Sequence, residues 1–350
     1  MNDVYTRLRE FMDKLPAGYP TTPSGVEIKI LKKLFQPDEA ELTMRLKNEP
    51  ERVSAIAKRL GMDEKELGRK LEDMAQKGLI FRVRSGDEVL YQAFQFLVGL
   101  YEFQLKNLDK ELSELFEEYI PYFGASMMSV PTRQMRVIPV ESSIGTGKGV
   151  SPYNQVRELV KQQKIFSVAN CICRKEQELL GKKCEHPSEV CLMFGDFAQY
   201  YIDNKMARKI TLEECSKLMD KAEESGLVLC PSNTQELLAV CCCCSCCCPV
   251  LRFAKPAPRP ADFVRSYYQS TIDPDLCTAC GVCIERCPMD AIQEGDNVAE
   301  VIDGRCIGCG LCVSVCPVEA ISLVPKPGME APPVNGLELM NRIAAERGVA

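Results

Sequence analysis

The chain has 350 residues, 21 of them cysteine, and a formal net charge of −6. That charge argues against bulk attraction to nucleic acid or anionic membranes, and no stretch approaches the ~20 apolar residues of a membrane span. Met1-Asn2-Asp3 opens no secretory leader, so the thiols are expected in a reducing compartment, an anaerobic cytoplasm, where they hold metal rather than disulfides.

Residues 26–95 lack cysteine altogether. Val26, Ile28, Ile30, Leu31 and Leu34 predict a first helix, and residues 39–46, after Pro37 and Asp38, a second. Residues 53–60 make a third, broken at Gly61. In a further helix over 63–77, Leu67, Leu71 and Met74 share one apolar face. Gly78 ends it. Residues 79–83, the turn at Ser85-Gly86-Asp87, and residues 89–91 predict a β-hairpin. This order resembles a winged helix-turn-helix over residues 1–95. Such a fold implies DNA reading by the helix at 63–77, but Asp63, Glu64, Glu66, Glu72 and Asp73 outnumber Lys65, Arg69, Lys70 and Lys77. An acidic helix is a poor match for a line of phosphates, so a protein-docking role is expected and nucleic acid is not.

Residues 94–120 are expected to continue as an amphipathic helix ending at Pro121, within a connecting segment at 96–130. Its stripe is Phe96, Leu100, Phe103, Leu108, Leu112 and Leu115. A strand is expected over 134–140. The loop from Ser142 to Lys148 carries Gly145 and Gly147, but it lacks the G-x-x-x-x-G-K-[ST] spacing of a phosphate loop, so nucleotide binding is rejected there.

A cysteine-rich region spans 131–248. After a helix over 153–163 and a strand over 165–169 come Cys171 and Cys173, then Cys184, the sole histidine His186, and Cys191. Cys171, Cys173, Cys184 and Cys191 are four soft ligands, suited to one iron–sulfur cluster or one tetrahedral zinc, and spacing alone does not choose between them. A further [4Fe–4S] cluster is favoured. Thr211 and Glu214 form a capping box for a helix to Glu224. Cys215 and Cys230 read as small hydrophobes. Then comes the run from Cys241 to Cys248, interrupted only by Ser245. Successive side chains diverge along a backbone, so only a subset can serve one metal. Cys243, Cys244, Cys247 and Cys248 give a CC-x2-CC pattern. Pro249, Pro256, Pro258 and Pro260 predict a stiff tether over 249–262.

Near the C-terminus Cys277, Cys280, Cys283 and Cys287 are spaced C-x2-C-x2-C-x3-C, followed by Pro288. Cys306, Cys309, Cys312 and Cys316 repeat this, followed by Pro317. The copies lie 29 positions apart, Ala291/Ala320 and Ile292/Ile321 included. Such runs hold cubane clusters, with the fourth cysteine serving the neighbouring cage. One [4Fe–4S] cluster is therefore assigned to Cys277, Cys280, Cys283 and Cys316, and the other to Cys306, Cys309, Cys312 and Cys287. Residues 263–325 resemble a bacterial two-cluster ferredoxin, and 326–350 form a tail with a short helix at 337–346.

Residues 130–325 as a whole resemble anaerobic iron–sulfur proteins in which a similar cysteine-rich domain precedes a two-cluster ferredoxin. The resemblance implies redox work without naming a substrate. Cys242 departs from that pattern, where a polar residue is expected, and inherits no role. The expected fold is α+β and multidomain. The favoured function is an electron carrier or electron-transfer subunit serving a partner oxidoreductase. The alternatives are an oxidoreductase with its active centre in the middle domain and a redox-sensing DNA-binding regulator. No acid/base or nucleophile constellation stands out.

Overall fold

A computed structural model describes residues 3–140, 143 and 152–349. Apart from Ser143, the loop at 142–148 lies outside them. The architecture is mixed α/β with several small sheets.

The chain opens with a helix not expected from the sequence, Val4–Asp13, which buries Leu8 and Met12. Helices Val26–Leu34, Pro37–Thr43, Val53–Leu60 and Glu64–Gln76 follow. Asp63 starts the last by accepting the Glu66 N–H at 2.8 Å, and its stripe of Leu67, Leu71 and Met74 is buried. Strands Phe81–Ser85 and Glu88–Gln92 pair antiparallel, and the second also takes Glu51–Arg52.

The connecting segment departs from expectation. Leu97, Val98 and Gly99 have non-helical backbone, and the long helix is Lys110–Met128, begun by Asp109 accepting the Leu112 N–H at 2.7 Å. Pro121 lies inside this helix rather than at its end. A proline removes one backbone donor and would stop an isolated helix. Here the turns beyond it bury Phe123, whose ring stands 5.3 Å from that of Phe96, and this packing carries the helix through.

The middle region is a five-stranded antiparallel sheet. Its order is Arg208–Lys209, Phe166–Asn170, Glu189–Phe194, Ala239–Cys243, Val228–Pro231. Helix Leu212–Glu224 begins as expected, with Thr211 Oγ1 accepting the Glu214 N–H at 3.1 Å. Helix Gly195–Asp203 joins this sheet to the N-terminal unit. The Tyr200 hydroxyl meets the carbonyls of Ala75 and Ile80, both at 2.9 Å, and Asn204 Nδ2 donates to Ala75 at 2.8 Å. One continuous apolar core includes Leu67 and Phe81 together with Ala198 and Tyr200.

The expected tether is partly helix. Pro249–Ala254 forms a short one with Leu251 and Ala254 buried, because Pro249 occupies the first turn, where its missing N–H costs nothing. Arg252 Nη1 and Nη2 clasp Glu117 at 2.7 Å each, fixing this segment to helix Lys110–Met128.

In the C-terminal unit Tyr268–Ile272 pairs antiparallel with Ile321–Pro325, and Ile292–Glu294 with Ala299–Val301. The duplicated pairs Ala291/Ala320 and Ile292/Ile321 are all buried. The tail helix Gly336–Arg347 returns to the start of the chain, where Arg347 Nη1 donates to the carbonyls of Asp13 (3.0 Å) and Leu15 (2.8 Å). No helix among the described residues is long and apolar enough to cross a membrane.

Candidate metal centres

Two cavities open in the C-terminal unit. The first is lined by Cys277, Cys280, Cys283 and Cys316 with Ile272, Ala299 and Ile321. The second is lined by Cys306, Cys309, Cys312 and Cys287 with Ser270, Met289 and Ile307. In each, three cysteines come from one tight loop and the fourth crosses from the other copy of the motif. The short helix Val282–Arg286 and the turn Val313–Val315 end at Cys287 and Cys316, whose extended backbone redirects the chain. Aliphatic walls and four converging sulfurs suit a cubane, which needs thiolates and exclusion of water more than polar partners. Cys283 and Cys312 belong to one shared apolar cluster, so the cavities adjoin.

The two cavities differ. Cys280 is exposed, whereas Cys309 and Cys312 are buried. Sulfurs of the second cavity receive the backbone N–H of Ser270 and Gly308 on Cys306 (3.3 and 3.4 Å) and that of Ala291 on Cys287 (3.2 Å), and the Ser270 hydroxyl lies 3.3 Å from Cys312 Sγ. In the first cavity Ala299 N–H reaches Cys277 Sγ at 3.5 Å. The second cavity also abuts the middle region. Val140 N–H donates to the Cys309 carbonyl at 2.9 Å, and Ile307, Cys309 and Leu311 share an apolar core with Cys242 to Cys244. Burial pushes the thiols of Cys283, Cys287, Cys309 and Cys312 up, Cys312 to about 12. Filling either cavity with metal must therefore expel protons.

In the middle region the sheet sorts the cysteines. Cys191 pairs in register with Cys241, and Cys241 with Cys230 across the next strand. Side chains alternate along Ala239–Cys243, so Cys241 and Cys243 share a face and Cys242 takes the other. The Cys243 thiol meets those of Cys230, Cys241 and Cys248. Cys171, at the start of helix Ile172–Leu179, meets Cys173 and lies near Cys241. Its thiol is held below the ordinary range by the Cys173 thiol and by Arg174.

Cys184 belongs elsewhere. Its Sγ stands 3.9 Å from that of Cys244 and 3.7 Å from that of Cys246, with Cys246 and Cys247 3.8 Å apart. All four sulfurs lie within 4.8 Å of one another, and His186 is not among them. The expected quartet of Cys171, Cys173, Cys184 and Cys191 is thus divided, Cys184 standing with a second group. The CC-x2-CC set is divided too. Cys244 and Cys247 turn toward Cys184, while Cys243 and Cys248 face Cys230. The cause is the end of the strand at Cys243, after which the backbone turns and no longer alternates. Cys246, which belongs to neither expected quartet, joins this group. Cys215 is buried inside its helix, its thiol pushed up to about 12 by burial. Cys230 is buried in the apolar core, where it lies against Cys243.

The family model of the 4Fe-4S dicluster domain matches residues 270–323. No curated protein matches the chain. The matched segment and the cysteine groups together indicate iron–sulfur chemistry.

Proposed function

We propose that this protein is an electron carrier or electron-transfer subunit holding two [4Fe–4S] clusters and a further metal centre, and exchanging single electrons with a partner oxidoreductase in the cytoplasm. The observation that carries the reading is the adjoining pair of four-cysteine cavities, one open at Cys280 and the other pressed against the cysteine-rich sheet. When bound, the clusters supply one-electron chemistry, and their potentials are set by hydrogen bonds to sulfur and by solvent exposure. The chain differentiates them on both counts. Cys280 offers the entry edge toward a partner, while Ser270, Gly308 and Ala291 direct their N–H groups at the inner sulfurs.

A winged-helix-like N-terminal unit acting as a docking element fits the same picture. Arg82 and Arg84, the cations of its hairpin, both pair with Asp203 of the middle region, Arg82 buried and Arg84 exposed. Arg82 is buried between Glu72 (2.5 Å) and Asn204 (2.9 Å), and Arg84 Nε meets Asp203 at 2.5 Å. Burial removes Arg82 from any phosphate and Asp203 offsets the charge of Arg84, which supports a protein partner over nucleic acid.

The test is anaerobic. Purified protein should be reduced by dithionite to a state with interacting paramagnetic centres, and turn over small substrates only when a native-cell partner is added. Turnover without any partner would move the assignment to a self-contained oxidoreductase, and a low-salt mobility shift on DNA would move it to a regulator.

A further inference from the structure

Cys184, Cys244, Cys246 and Cys247 have the dimensions of a site for one metal ion. A tetrahedral ion with metal–sulfur bonds of about 2.3 Å places neighbouring sulfurs about 3.8 Å apart. The separations here are 3.9 Å for Cys184–Cys244, 3.7 Å for Cys184–Cys246 and 3.8 Å for Cys246–Cys247. They are far too long for disulfides, whose sulfurs bond at about 2.05 Å. All four sulfurs lie within 4.8 Å of one another. Ligands of a cubane cap separate iron corners of a cage, whereas ligands of a single ion share one centre. Separations of 3.7–3.9 Å fit the second arrangement.

A second observation points to the same place. Arg174 is 4% exposed and sits beside Cys244, Cys184 and Cys171. Its Nη2 donates to the Cys242 carbonyl at 3.0 Å, while Nε and Nη1 have no partner oxygen or nitrogen. A buried guanidinium needs an anion. Four thiolates on a divalent ion carry a net charge of −2 and provide one.

We infer that Cys184, Cys244, Cys246 and Cys247 bind one structural zinc ion, with Arg174 as its buried counter-charge. Zinc has no redox chemistry and takes tetrahedral thiolate sets in closed structural sites. The ion clamps the loop after helix Ile172–Leu179 to the turn between Ala239–Cys243 and Pro249–Ala254. That clamp fixes the end of the strand that presents Cys241 to Cys171 and Cys191, and leaves those thiols to any redox-active centre. The site is independent of the two-cluster assignment, since zinc and iron are counted separately and either claim can fail alone.

The experiment is elemental analysis and zinc-edge X-ray absorption of full-length protein purified without oxygen, beside Cys246→Ser and Cys246→His. The wild type should carry one zinc per chain with only sulfur neighbours and no iron near it. Cys246→Ser should lose at least fivefold of that zinc with iron and labile sulfide unchanged. Cys246→His should retain zinc, with one nitrogen replacing one sulfur. Should Cys246→Ser not accumulate, the nitrogen signature in Cys246→His carries the test. Iron lost instead of zinc in the variants would overturn the proposal. So would zinc that is absent from the wild type, or that persists in Cys246→Ser and keeps all-sulfur coordination in Cys246→His.

Discussion

The Ser270 hydroxyl lies 3.3 Å from Cys312 Sγ, while the same residue's backbone N–H donates to Cys306 Sγ at 3.3 Å. One strand residue thus serves two sulfurs of the inner cavity, lined by Cys306, Cys309, Cys312 and Cys287. A donor to sulfur favours the more negative, reduced cluster. Ser270→Ala keeps the backbone donor and removes the hydroxyl. It should lower the inner cluster's potential by about 40 mV, if the bond strengthens by about 1 kcal/mol on reduction. A redox titration followed by electron paramagnetic resonance should show one of two potentials moving. Movement of both, or of neither, would contradict the role given to Ser270.

Gly308 lies between Cys306 and Cys309 with a φ of +65°, and a Cβ there would collide with the Tyr268 carbonyl oxygen. Gly308→Ala therefore meets both backbone strain and a clash with a paired strand. It should destabilise the C-terminal unit by about 2–3 kcal/mol and weaken the Ser270 contact to Cys306. Thermal melts of anaerobic protein should show an earlier loss of cluster absorbance, and an unchanged melt would show that the loop has room to shift.

Glu117 receives both Arg252 nitrogens at 2.7 Å, which together with Gln177 and Lys182 holds its carboxyl below the usual range despite some burial. A depressed folded value means that the stabilisation is complete above the unfolded pKa, about 4.3. It is lost as pH falls through the lower folded value. Glu117→Gln should cost about 1–2 kcal/mol at pH 7, the pair being only partly buried. The difference in melting temperature between wild type and variant should stay constant from pH 7 to 5 and shrink below about pH 4.5. A difference that widens on acidification would reverse the sign assigned here.

Much of the ferredoxin-like unit was legible because ligand spacing is local: C-x2-C-x2-C-x3-C encodes a loop and a turn within a dozen residues. The N-terminal helices were legible from the period of Leu67, Leu71 and Met74. The grouping of the middle cysteines was not. Cys184 meets Cys244 across 60 positions, and sheet register aligns Cys191 with Cys241 and Cys230, neither of which a linear pattern contains. Alternation along Ala239–Cys243, with a turn at Ser245, could have separated Cys241 and Cys243 from Cys244, Cys246 and Cys247. The helix through Pro121 escaped for a related reason: Phe123 is held by Phe96, a tertiary contact that outweighs a local breaker.

Each crossed cysteine quartet should hold a four-iron cage, and the most direct measurement compares iron and acid-labile sulfide in wild-type protein with Cys280→Ala/Cys316→Ala, prepared without oxygen. The paired substitution removes two ligands of one cavity and none of the other, so it should lose about four irons and four sulfides per chain and leave the inner cluster's signal intact. Loss of both clusters' signals together, or wild-type protein holding zinc or no metal in these cavities, would contradict that assignment.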